Sequence, residues 1–213
     1  MKNKIYYCTF FICLSISFLL IGCDDSQESV FSPDKDEYLK KEDDSGIEDN
    51  LQNDENLQEL IDVWYGMNQH ILQYIDENDI SVKELEQAYI DGDEEKIRKL
   101  TGYTTDEIYK IQTRLEKAAY ALLHTYPELE DYINDQGVCY DSKCLENFFQ
   151  NYQLFDDHSM PAPLGDVSCA WIPYAASLVG CTALGPYLYW PCAVVATCHW
   201  CEGGWVNNMC EIE

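Results

Sequence analysis

Basic side chains are scarce in this chain. Thirteen Lys and Arg stand against 39 Asp and Glu, a formal net charge of −26 over 213 residues. A surface that acidic repels phosphate backbones, which excludes nucleic acid as a partner. It also disfavours docking on anionic lipid by charge alone. Cysteine is absent from residues 24–138, and Lys and Arg are absent after Lys143. No H-E-x-x-H, no phosphate loop, no nucleophile beside a base and no recognisable carboxylate pair occurs. The expectation is therefore a protein that is not an enzyme and needs no cofactor or metal. Aromatics are not lacking: at 13% they are too frequent for a wholly disordered chain, so a packed core is expected.

The first residues carry an export signal. Met1-Lys-Asn-Lys4 is a short basic start, Ile5 to Ile21 is uncharged and mostly apolar, and Gly22 is a small residue before Cys23. That order is the pattern of a secretory signal. Leu20-Ile21-Gly22-Cys23 resembles the lipobox of bacterial lipoproteins. The resemblance implies cleavage before Cys23 and a thioether-linked lipid on its sulfur, with further acyl chains such as palmitate. One chain binds a membrane marginally, and several anchor stably. The expected location is outside the cytoplasm, lipid-anchored to a bacterial membrane, at the outer membrane or cell surface.

Four regions follow from composition. Residues 1–22 are the signal peptide. Residues 23–53 are dense in Asp and Glu and poor in apolar residues, which predicts a disordered, self-repelling tether. Residues 54–135 predict a helical domain. Leu57, Leu60, Ile61, Trp64, Ile71, Leu72 and Ile75 recur at helical spacing, giving a helix from about Asp54 to Glu77. Ser81-Val-Lys-Glu84 is a capping box opening a second helix with Leu85, Ala88 and Tyr89 inward. Asp91-Gly92-Asp93 breaks it, a short piece holds Ile97 and Leu100, and Gly102 is a helix stop. Thr104-Thr-Asp-Glu107 is another capping box. It opens a long helix with Ile108, Ile111, Leu115, Ala118, Ala119, Leu122 and Leu123 on one face, and Pro127 ends it. Such helices predict a small bundle. Asp76-Glu-Asn78-Asp79 starts like a calcium loop, but Ile80, Ser81 and Gln87 fall where a ligand, the turn Gly and the closing Glu belong. His70 and His124 are lone histidines and are expected to be structural.

Residues 136–213 predict a cysteine-rich, disulfide-stapled module of short helices and turns, so the fold class is mainly α. From Val167 to Cys201 no Asp, Glu, Lys or Arg occurs. Pro173, Gly180, Gly185, Pro186 and Pro191 are expected to cut this stretch into two or three pieces. Cys139, Cys144, Cys169, Cys181, Cys192, Cys198, Cys201 and Cys210 form an even cluster in an exported chain, which predicts a disulfide framework. Eight cysteines allow 105 pairings, and sequence does not choose among them. Two other chemistries use such residues. Cys198-His-Trp-Cys201 has the spacing of thiol oxidoreductases, but their strand-helix alternation is absent. Zinc suits Cys198, Cys201, Cys210 and His199, but an oxidising compartment removes free thiolates.

The ending Cys201-Glu-Gly-Gly-Trp205-Val-Asn-Asn-Met-Cys210, with the charge-poor cysteine stretch before it, resembles the fulvocin C-related bacteriocin family over roughly residues 169–210. The resemblance implies a disulfide-rich peptide, carried on a precursor, that damages competing bacteria at their membrane or surface. The module lacks the cations of typical antimicrobial peptides. Hydrophobic insertion is left, with Trp171, Tyr187, Trp190, Trp200 and Trp205 as expected membrane or partner contacts and Tyr174 and Tyr189 beside them, since Trp and Tyr favour the lipid–water interface. The competing reading places these rings in a small core. Against the toxic function stands a non-toxic cell-surface binding or structural lipoprotein.

Overall fold

The computed structural model describes residues 45–133, 149, 167–204, 206 and 210. Cys23, Cys139, Cys144 and Trp205 lie outside them. The fold is mainly α, as expected. Helix α1 spans Ser45–Gln52, α2 Glu55–Asn78, α3 Val82–Asp91, α4 Glu94–Thr101, α5 Thr105–Thr125 and α6 Leu129–Ile133. Strand β1 (Ser168–Cys169) precedes α7 (Trp171–Thr182) and α8 (Gly185–Trp200), and β2 (Cys201–Glu202) returns antiparallel to β1.

The ends of the acidic helices follow from local chemistry. Asp54 caps α2 by accepting from the Asn56 and Leu57 amides, and Asp93 caps α4 through the Lys96 amide. Thr104 and Glu107 form the reciprocal capping box of α5. Ser81 occupies the cap position of α3, yet its side chain makes no cap bond. Gly102 ends α4 at φ 72°, and a Cβ there would run into the Tyr74 ring, so glycine is needed on both counts. Pro127 follows Tyr126, the C-cap of α5.

Two expectations need correction. The tether does not extend to residue 53, because Ser45–Gln52 is helical with Leu51 fully buried and Ile47 packed on the core. Ile47 and Leu51 stand one turn apart, enough to seat an otherwise polar helix. The division at 135/136 does not separate two cores either. Buried residues from Leu51 to Val206 form one hydrophobic cluster, and the described residues belong to one compact unit. Helix α7 packs on α8, α6, α1, α5 and α2, while α8 packs on α5, α2 and α4. The physical reason is complementarity of faces. The apolar stripes of α2 and α5 need a cover, and α7 and α8 are apolar all round.

Candidate functional site: the stapled hairpin

Helices α7 and α8 form a hairpin with no Asp, Glu, Lys or Arg between Trp171 and Trp200. Every residue from Trp171 to Cys181 is buried. Pro173 and Pro186 sit in first turns, where a missing amide costs nothing. Pro191 does not break α8 as expected. The helix runs through it, held by burial on all sides and by the bridge at Cys192.

Three disulfides close the hairpin on itself. Cys169–Cys201 joins β1 to β2 at its open end, Cys181–Cys192 ties the end of α7 to the middle of α8, and Cys198–Cys210 fixes the tail. The C-x-x-C residues thus have different partners. Cys198 and Cys201 are not a dithiol, and neither is a free thiolate for zinc. No cluster able to hold a metal occurs among the described residues.

Polar atoms inside the hairpin are paired. The Trp200 indole donates to Ser177 Oγ at 2.9 Å, and Thr197 Oγ1 donates to the Ala193 carbonyl at 2.8 Å. The Tyr174 hydroxyl lies 3.0 Å from Thr197 Oγ1. Burial pushes this hydroxyl up to about 12, with its hydrogen bonding to Thr197 and Trp64 pulling the other way. Two further bonds reach from the hairpin into the surrounding helices. The Tyr189 hydroxyl donates to the Leu60 carbonyl at 3.0 Å, and the Trp190 indole donates to Asn68 Oδ1 at 3.0 Å. Both side chains are fully buried, and the Trp190 ring lies 5.4 Å from Tyr89.

The expected contact aromatics are therefore mostly interior. Trp171 (8% exposed), Trp190 (0%) and Trp200 (6%) belong to the core, and Tyr187 is half-buried beside Arg98 and Glu94. The reason is the same missing charge: no polar face exists on either helix to turn outward. Among the described residues the exposed large apolar side chains are instead Tyr109 and Tyr120 on α5. His70 is structural, its Nε2 2.9 Å from the Thr101 carbonyl and its ring stacked 4.2 Å from Tyr103. Asn68 went unnoticed in the sequence. Its signal was present: it is the polar residue four after Trp64 and three before Ile71 on the apolar stripe of α2. No family model matches the chain, and no curated protein or solved structure is similar to it.

Proposed function

We propose that this chain is an exported lipoprotein, anchored through Cys23, that carries its C-terminal segment as a bacteriocin-like module acting on other bacteria. One observation supports this above the others: the module is covalently self-contained. The three described bridges all close between Cys169 and Cys210, and residues 24–138 hold no cysteine. No disulfide can therefore tie the hairpin to α1–α6, which hold it by apolar packing and hydrogen bonds such as those of Tyr189 and Trp190. A cut in the segment between α6 and β1 would leave the staples intact. Mass spectrometry of native material, on cells and in culture fluid, tests this. A released, oxidised fragment beginning near residue 165 that inhibits related bacteria at micromolar dose is expected. An intact chain on cells and an inert culture fluid would overturn it.

A second reading is a non-toxic surface protein used for binding or structure. It is favoured by the burial of Trp171, Trp190 and Trp200 in a core shared with the outer helices. It expects the intact chain on cells in the same experiment.

A further inference from the structure

A helix that is apolar around its whole circumference suits two surroundings, the centre of a protein or a lipid phase. Helices α7 and α8 have that character, and the hairpin they form pairs several backbone groups at both of its ends. At the turn, the Ala183 amide donates to the Gly180 carbonyl and the Leu184 amide to the Cys181 carbonyl. At the open end, β1 pairs with β2. Each backbone bond made within the hairpin lowers the cost of moving it from protein to lipid.

The aromatics are placed to match. Trp171 opens α7 and Trp200 closes α8, so both sit at the open end beside the exposed Ser168 and Glu202. Tyr187, Tyr189 and Trp190 lie in the first two turns of α8, towards the other end. The Trp171 and Trp200 rings at the open end suit the lipid–water interface. The outer helices hold this body without charge. The ion pairs of the described residues, Lys96–Glu84, Lys99–Glu95 and Arg114–Glu59, all lie within α2–α5.

We infer that the hairpin's target is a lipid bilayer, and that the hairpin exchanges its coat of amphipathic helices for the bilayer's hydrocarbon. This rests on the reading of the hairpin as the acting module. The Trp190–Asn68 and Tyr189–Leu60 bonds form the catch that keeps it docked, and the disulfides keep it a hairpin after the catch opens. Its dimensions set the depth. Sixteen residues of α8 and twelve of α7 reach about 24 and 18 Å, short of the roughly 30 Å of hydrocarbon in a bilayer. The hairpin embeds without spanning, in keeping with the absence of any membrane-crossing helix among the described residues. The net charge of −26 directs the chain to neutral rather than anionic lipid.

Tryptophan emission from the full mature chain tests this. Cys23→Ser removes the lipid anchor, and Trp64→Phe with Trp205→Phe leaves Trp171, Trp190 and Trp200 as the reporters. The oxidised protein is mixed with zwitterionic phosphatidylcholine vesicles carrying bromine on their acyl chains. Emission should fall roughly twofold or more against unbrominated vesicles, as for rings seated at the acyl boundary. Asn68→Ala opens the catch and should raise the inserted fraction at limiting lipid roughly tenfold, since the Trp190 donor loses its acceptor in the docked state. Phosphatidylglycerol vesicles should give less quenching at low salt. Should Asn68→Ala lose its helical circular dichroism before lipid is added, Tyr189→Phe, which removes only the hydroxyl bonded to Leu60, replaces it. Emission indifferent to bromine at lipid excess, with and without the opened catch, overturns the inference. Growth inhibition by a released fragment that ignores brominated lipid would sink this inference and leave the proposed function standing. Quenching without any inhibition would do the reverse.

Discussion

Helices α2–α5 and the α7–α8 hairpin solve the same problem with opposite means. The outer helices place charges on one side and apolar residues on the other, and three of the four carry side-chain N-caps, from Asp54, Asp93 and Thr104. They contain no cysteine. The hairpin carries no Asp, Glu, Lys or Arg, has no side-chain cap on α7 or α8, and depends on bridges and on its surroundings. An amphipathic helix declares where water is, whereas an apolar one declares only that water must be absent. Each region therefore supplies what the other lacks. The stripes of α2 and α5 need an apolar cover, and the hairpin needs a solvated coat.

The comparison breaks most sharply if the bridges are removed. The closed loops span sequence separations of 32, 11 and 12 residues. Each bridge contributes about 2–4 kcal/mol, mainly by restricting the unfolded chain. Reduction should unfold the hairpin. Because the core is shared, the outer helices should lose their circular dichroism in the same transition, although they hold no sulfur bridge. If α1–α6 keep a cooperative thermal transition under reductant, the interdependence is refuted.

The same contrast governs what was legible in the sequence. The ends of α3 and α4 and the start of α5 were readable because capping chemistry is local: Asp91-Gly92-Asp93, Gly102 and the Thr104–Glu107 pair all act within a turn or two. Ser81 shows the limit, since it takes the cap position without making the bond. Helix α1 was hidden because two apolar residues among acidic ones resemble a tether. The disulfide pairing was hidden because Cys198 lies in the last turn of α8 and Cys201 begins β2, so neighbours in sequence face different partners. The fate of the aromatics was hidden for a related reason. Hydrophobicity says that Trp190 leaves water, but its acceptor, Asn68, lies 122 residues earlier.

Alkaline titration sharpens the comparison by probing buried hydroxyls on both sides of it. Tyr174 and Tyr189 in the hairpin, and Tyr89 and Tyr103 in the coat, are all raised from the ordinary value of 10.0, chiefly by burial. A raised value in the folded protein means that the unfolded chain gives up its protons first. Stability from these groups is full below pH 10 and is lost as pH rises from there. For Tyr174 the loss extends to about 12. On the order of 2–3 kcal/mol from Tyr174 alone disappears over that interval. Phenolate absorbance near 295 nm should therefore rise together with the loss of helix, for the tyrosines of both regions at once. Separate steps for absorbance and circular dichroism would mean that some of these hydroxyls reach water in the folded state.

The smallest expected effect belongs to the outer surface, where the coat is designed for solvent. Arg114 Nε donates to Glu59 Oε1 at 2.6 Å, joining α5 to α2. That hydrogen bond, followed by the charge of Arg114, holds the Glu59 carboxyl below its ordinary value of 4.5, against a partial opposing effect of burial. A lowered value means the pair's contribution is complete above pH 4.5 and fades as pH falls through the folded-state value. Both side chains are more than a third exposed, so screening leaves the pair worth about 0.2–1 kcal/mol. Arg114→Ala should lower the thermal midpoint slightly at neutral pH, and the difference should shrink as pH falls below 4.5 and Glu59 becomes protonated. Added salt should shrink the neutral-pH difference further. A large loss at every pH would mean that the α2–α5 seam rests on Arg114 packing rather than its charge, and that the coat is less solvent-adapted than its pattern of charges implies.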